Sequence, residues 1–230
     1  SLQELTIRHL TGYAYVPSEN EDEDGINIEI FNDEVFPFSQ YDVQQIGSDD
    51  DDVLVGDEAF DNTIDGKTGD DVLIGTARDD TLIGGVGDDT LDAGEGSDRY
   101  VFKPGDGIDV ISDGGTSGTD TLVFGPGISP GALSLATGSL LIRIVSSGDA
   151  VHVDGFDIDD AGIAGGVERF EFADGTVLSH AQLISRGFDL YGTGGADTTF
   201  GTNLVDRFHE SAGDDILIGG AGDDIYYFGA

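Results

Sequence analysis

The sequence predicts an all-β chain of short parallel strands stacked in two blocks, with a strand-rich segment between them and one short helix. Two observations predict it. Glycine, aspartate and an aliphatic residue recur every nine residues in "GKTGDDVLI" (66–74), "GTARDDTLI" (75–83) and "GGVGDDTLD" (84–92), and again in "ESAGDDILIGGAGDDIYYF" (210–228). A fixed short period marks units that bury their apolar residue only against their neighbours. Between the blocks, "TDTLVF", "SLLIRIV", "AVHV" and "VERFEF" read as short strands separated by Gly and Asp turns.

Composition narrows the partners. The chain has 230 residues, enough for one ordinary domain or two small ones. It carries 47 acidic against 9 basic residues, a formal charge of −38. Nucleic acid and anionic membrane surfaces both need a basic face, so neither is an expected partner, and cations are. At 38% hydrophobic residues, with 13 Phe and 7 Tyr, the chain is too apolar for a solvated acidic tail. Without cysteine there is neither a disulfide framework nor a thiolate metal site. No apolar run reaches the ~20 residues of a membrane-spanning helix. The opening "SLQELTIRHL" lacks the basic and apolar regions of a signal peptide. Both ends fall within strand-like sequence, so a fragment of a longer protein is expected.

Residues 1–46 hold strand-like "LQELTIRHL", "GYAYV" and "GINIEIF" around the acidic run Glu19–Asp24 and read as a β-rich cap or the end of a preceding domain. "NEDEDG" (20–25) mimics the start of an EF-hand loop, but Phe31 stands where the twelfth-position glutamate belongs.

The first repeat block, 47–102, runs "GSDDDDVLV" (47–55), an irregular "GDEAFDNTID" (56–65), the three regular units, and "AGEGSDRYV" (93–101). The last three residues of each unit fit a very short strand whose middle side chain points inward. That inward series is Leu54, Ile64, Leu73, Leu82, Leu91 and Tyr100. The second block, 189–230, repeats the pattern in "GTGGADTTF" (192–200), "GTNLVDRFH" (201–209) and the two units from 210, with Thr199, Phe208, Leu217 and Tyr226 inward. The first six residues of a unit turn the chain, which calls for glycine. In 56–65 an extra residue shifts the register, leaving Asp61 or Asn62 for the sixth position.

Such a core is thin. Burying one Leu stabilises by roughly 1.5–3 kcal/mol, whereas ordering nine residues costs roughly 1–2 kcal/mol each. The stack also lines up sixth-position carboxylates at Asp52, Asp71, Asp80, Asp89, Asp98, Asp197, Asp206, Asp215 and Asp224. A hard divalent cation resolves both problems, because it takes oxygen ligands from carboxylates and turn carbonyls.

These units resemble the GGxGxDxUx nonapeptides of the RTX (repeats-in-toxin), or haemolysin-type, calcium-binding family. The resemblance covers about 47–102 and 189–230. It implies a calcium-stacked parallel β-roll in which two nonapeptides make one turn and Ca2+ sits between loops two units apart. Loop 47–52 would pair with 66–71, 66–71 with 84–89, 75–80 with 93–98, 192–197 with 210–215, and 201–206 with 219–224. The implied metal ligands are the sixth-position aspartates with Asn62, and loop positions Gly66, Thr68, Gly75, Ala77, Gly84, Val86, Gly87, Gly96, Gly219 and Ala221. About six calcium ions would offset only part of the charge. The resemblance further implies secretion by a type I route, to the cell exterior or surface, with folding at millimolar calcium.

Residues 103–188 lack the nonapeptide and read as a strand-rich capping and linking segment. "SHAQLISRG" (179–187) begins with an N-cap serine and ends in glycine, so it reads as the short helix. "FEFADGTVLSHAQL" also resembles the segment that follows repeat blocks in this family.

No catalytic constellation is expected. "HESAG" (209–213) starts like HExxH but has Gly213 in place of the second histidine, and no G-x-S-x-G elbow occurs. His9, His152, His180 and His209 are scattered. The leading reading is therefore a non-enzymatic calcium-binding module that folds outside the cell. The alternatives are a surface structural or adhesin segment that self-associates through its roll ends, and the tail of an exoenzyme.

Overall fold

A computed structural model describes residues 4–7, 42–209 and 212–228. Of the strands expected within 1–46, only Glu4–Ile7 (β1), inside "LQELTIRHL", falls there, while "GYAYV", "GINIEIF" and the acidic run lie outside the described residues; Asp42–Ile46 (β2) is a strand that was not expected.

Strands then alternate between two sheets. Val53–Val55 (β3), Asp61–Thr68 (β4), Val72–Thr76 (β5), Thr81–Val86 (β6), Thr90–Gly94 (β7) and Arg99–Phe102 (β8) come from the first repeat block. Ile108–Ile111 (β9), Thr121–Phe124 (β10), Leu133–Ala136 (β11), Leu140–Ile144 (β12), Ala150–Val153 (β13), Arg169–Phe172 (β14) and Val177–Ser179 (β15) follow. One sheet has the order β1-β2-β4-β6-β8-β10-β14-β15 and the other β11-β12-β13-β9-β7-β5-β3. From β2 to β14 and from β3 to β13 every neighbour is parallel, two strands on through the repeats and four on where β11 and β12 intervene. This is a β-solenoid with two units per turn, consistent with a β-roll.

Register puts like on like. Leu73 pairs with Leu54 and Leu91, and Leu82 with Ile64 and Tyr100. All six inward residues of the first block are at most 2% exposed. Each stands midway along a strand, so its two neighbours face out by the period-two rule. Beyond the repeats the core thickens with Phe102, Phe124 and Phe172, where Phe124 stacks on Phe172 at 5.0 Å. The antiparallel strands β11–β13 add Leu135, Ile142, Val151 and Val153.

The helix His180–Ile184 (α1) is capped as expected. Ser179 Oγ accepts from Gln182 N–H, and Gln182 Oε1 accepts from Ser179 N–H, a reciprocal capping box. Phe188–Tyr191 (β16), Thr198–Phe200 (β17), Asp206–His209 (β18), Ile216–Ile218 (β19) and Ile225–Tyr227 (β20) then form a second, smaller roll. Here Phe208 is buried and Thr199 and Leu217 are half-buried. Tyr226 is 38% exposed, although its ring stacks on Phe208 at 4.9 Å and lies 6.4 Å from that of Phe228.

Candidate metal centre

The doubled aspartates brace the turns in both directions. At the sixth position, Asp52 N–H donates to Asp71 Oδ1 (2.7 Å), Asp71 N–H to Asp89 Oδ1 (2.8 Å), and Asp80 N–H to Asp98 Oδ1 (2.6 Å). The second roll repeats the bond from Asp197 to Asp215 (3.0 Å) and from Asp206 to Asp224 (3.1 Å). At the fifth position the direction reverses: Asp70 N–H donates to Asp51 Oδ1, and Asp88 N–H to Asp70 Oδ1, both at 2.9 Å. Each loop is thus tied to the turn before it and the turn after it. The fifth-position aspartates Asp51, Asp70, Asp79 and Asp88 were not among the expected site residues, because their side chains serve the loop's outer rim.

The inner ladder also runs past the repeats. Asp89 N–H donates to Asp109 Oδ1 (3.2 Å), Asp98 N–H to Asp120 Oδ1 (2.9 Å), and Asp120 N–H to Glu168 Oε2 (2.8 Å). None of these three acceptors was expected from sequence. The signal that could have found them is the aspartate two residues before an inward aliphatic: Asp109 before Ile111, Asp120 before Leu122.

The second carboxylate oxygen divides the loops into two kinds. Where the second loop residue is Ser or Thr, that residue caps it. Ser48 N–H and Oγ donate to Asp52 Oδ2, Thr76 to Asp80 Oδ2, Thr193 to Asp197 Oδ2, and Thr202 to Asp206 Oδ2. Where the second residue has a left-handed backbone, as at Lys67 (φ 80°), Gly85 (111°) and Gly94 (92°), no such cap forms. Asp71, Asp89 and Asp98 then keep a buried Oδ2 with no hydrogen-bond partner. A buried polar atom left in this state carries a penalty of about 1–3 kcal/mol, more when charged.

Main-chain oxygens converge on the same places. A Cβ on Gly66 would meet both Asp71 Oδ2 and the Gly84 carbonyl, and one on Gly84 would meet Asp89 Oδ2. A Cβ on Gly75 would meet the Ala93 carbonyl and Asp80 Oδ2. The glycine leaves room for oxygen ligands alone, carboxylate and carbonyl, which is the donor set of a hard cation such as Ca2+.

Electrostatics follow the same division. Burial raises the Asp71 carboxyl, pushes Asp89 up to about 6 and Asp98 up to about 8, with neighbouring carboxylates adding to the effect. Burial likewise pushes Asp109 up to about 8 and Asp120 up to about 7. By contrast the backbone and hydroxyl donors of Ser48 lower Asp52. Asp206 is raised by burial despite its Thr202 cap.

Asn62 is the ladder member of the irregular unit, its N–H donating to Asp80 Oδ1 (2.6 Å). Its amide nitrogen points at the Phe60 carbonyl (2.9 Å), the Asp57 carbonyl (3.2 Å) and Asp80 Oδ1 (2.8 Å). A donor here occupies the oxygens a cation would take, so this rung is closed by hydrogen bonds. The described histidines have structural partners: His152 bonds Ser139, His180 the Ala161 carbonyl, and His209 stacks between Tyr191 and Tyr227.

The RTX calcium-binding nonapeptide repeat matches residues 65–100 and 200–230, and the haemolysin-type calcium binding protein related domain matches 140–182. The chain thus carries the calcium-binding repeats of the RTX, haemolysin-type family in a parallel β-solenoid. A search of the curated proteins finds no match.

Proposed function

We propose that the chain is a calcium-dependent folding and spacer module of a secreted bacterial protein. The observation that carries this reading is the set of buried, unpartnered Oδ2 atoms on Asp71, Asp89 and Asp98, the first two set against Gly66 and Gly84, which are too close-fitting for any side chain. Calcium would be held there by the sixth-position carboxylates together with carbonyls of the first and third loop residues, Gly66, Thr68, Gly84 and Val86 among them. Loop 219–224 joins this group, because Gly220 has φ 87° like Gly85.

Binding energy at these loops is folding energy, since the ligand set exists only when consecutive turns are stacked. At −38 the metal-free chain repels itself, which favours an expanded state where calcium is scarce. RTX repeats are in general a feature of secreted bacterial proteins, which supports a cell-exterior location and a type I route.

A calcium titration of chelated protein followed by far-UV circular dichroism, with magnesium as control, tests the reading. The expected result is a cooperative gain of sheet with calcium and none with magnesium. Full sheet content in chelator would make calcium an accessory and leave a structural role ahead.

A further inference from the structure

The last repeat loop faces a partner of different design. Strand β9 is joined to β10 by residues 112–120, an insertion outside the nonapeptide pattern. Asp113 opens it and Asp120 closes it. One carboxylate oxygen from each of Asp98, Asp113 and Asp120 lies within 4.8 Å of the other two. Asp98 is 0% and Asp120 4% exposed.

Hydrogen bonding leaves the cluster unsatisfied. Asp98 Oδ1 accepts from Asp80 N–H (2.6 Å), Asp120 Oδ1 from Asp98 N–H (2.9 Å), and Asp113 Oδ1 from Gly115 N–H (2.8 Å). The Oδ2 atoms of Asp98 and Asp113 are buried with no partner. None of the ion pairs among the described residues reaches the three carboxylates. Three carboxylates gathered this closely repel one another, and a cation held among them supplies the missing counter-charge.

We propose that Asp98, Asp113 and Asp120 form a calcium site joining the repeat roll to the segment that follows it. The inference rests on the calcium-binding reading above and adds a site built from two residues outside the repeats. Ligands up to 4.8 Å apart suit an ion that binds oxygen at 2.3–2.6 Å, because opposite ligands then stand about twice that distance apart. Each uncapped repeat loop contributes one orphan carboxylate oxygen, whereas this site gathers three carboxylates, so it binds calcium more tightly than the regular loops.

Its position gives it a structural consequence. Asp120 N–H donates to Glu168 Oε2, and the Asp120 carbonyl accepts from Glu168 and Arg169 N–H, both at 3.1 Å. Gly166 packs on Asp113, where a Cβ would come within 3.1 Å of the Asp113 carbonyl. An ion at this site fixes loop 93–98, loop 112–120 and residues 166–169 as one unit.

The test compares the whole chain with Asp113→Asn by calcium calorimetry. The substitution leaves every nonapeptide residue intact. The expected result is that one calcium equivalent leaves the tightest class and weakens at least ~10–100-fold, the loss that removing even an outer-shell partner brings, while the remaining equivalents are unchanged. The same stoichiometry and affinities in both proteins would overturn the site. Wild-type protein that binds no calcium at all would overturn the calcium reading with it. Terbium anomalous diffraction from the wild-type protein decides the matter if the variant does not fold. A peak bounded by the three carboxylates supports the site, and peaks confined to the spaces between nonapeptide loops overturn it.

Discussion

Asp89→Asn separates the cost of the carboxylate ladder from its benefit. Asp89 is 1% exposed, bonds Asp71 N–H through Oδ1 and leaves Oδ2 without a partner. Burial pushes it up to about 6 from 3.8. That gap corresponds to ~3 kcal/mol against the charged form at neutral pH, reduced to ~1–2 kcal/mol by solvent at the loop rim and by the weaker hydrogen bond of a neutral acceptor. An asparagine keeps the bond to Asp71 with its oxygen and places an amide nitrogen where Oδ2 stands, beside the main-chain oxygens of the loop. In chelator, where the wild-type roll is unfolded, the variant is therefore driven to fold by less of a stabilising osmolyte such as TMAO, a difference of ~1–2 kcal/mol. In calcium the order reverses, because a lost site forfeits about 2.7 kcal/mol at a hundredfold excess over its dissociation constant. Osmolyte-driven folding in chelator and urea unfolding in calcium, both followed by circular dichroism, read the two numbers. A variant less stable than wild type in chelator would show that the ladder's hydrogen bonds outweigh its repulsion, and the explanation of the calcium requirement would fail.

Two further outcomes follow from the same carboxylates. Asp89, Asp98, Asp109 and Asp120 all sit above the unfolded value of ~3.9, at about 6, 8, 8 and 7, so the native metal-free roll holds more protons than the unfolded chain. The part of its stability that these four contribute is fully present below about pH 4 and is lost as pH rises through about 6–8; an osmolyte-driven folding midpoint in chelator that stays flat or falls between about pH 5 and pH 8 refutes this. Asn62→Asp replaces the amide that closes the irregular rung with a carboxylate oxygen beside Asp80, so it lowers metal-free stability and adds one calcium equivalent by calorimetry; unchanged stoichiometry refutes it.

Much of the fold was legible because its period is short and its chemistry repetitive. One aliphatic in nine residues marks the inward position, and Leu54, Leu73 and Leu91 then stack by register alone. Past Phe102 the count fails. Asp109 follows Asp89 by 20 residues and Asp120 follows Asp98 by 22, where the regular repeats keep 18 and the irregular unit makes 19. The ladder tolerates these insertions because they bulge from the loops and leave the strand register untouched. The ion site at Asp113 was illegible for the same reason: the residue comes from the inserted loop and reaches the ladder only through the path of the backbone. The difference between capped and uncapped loops was written in the sequence as Ser48, Thr76, Thr193 and Thr202 against Lys67, Gly85 and Gly94. Reading it requires knowing that a left-handed second residue removes the donors from the carboxylate, which only the backbone angles reveal.

The order of the two loop kinds along the roll gives the calcium requirement a direction. On one side, loop 47–52 is capped by Ser48, whereas 66–71 and 84–89 are open. On the other, Asn62 closes the first rung, Thr76 caps the second, and Asp98 is open. The protein's own donors thus satisfy the earliest turns on both sides, and the unsatisfied charge collects in the turns nearest the thick aromatic core of Phe102, Phe124 and Phe172. A buried carboxylate without a partner destabilises most where water is most excluded, so stacking the last repeat turns onto that core is the step that most needs an ion. In the first block the caps stand at the start of the roll and the open carboxylates nearer its end, so the proposed calcium dependence of folding falls most heavily on the junction between these repeats and the segment beyond them.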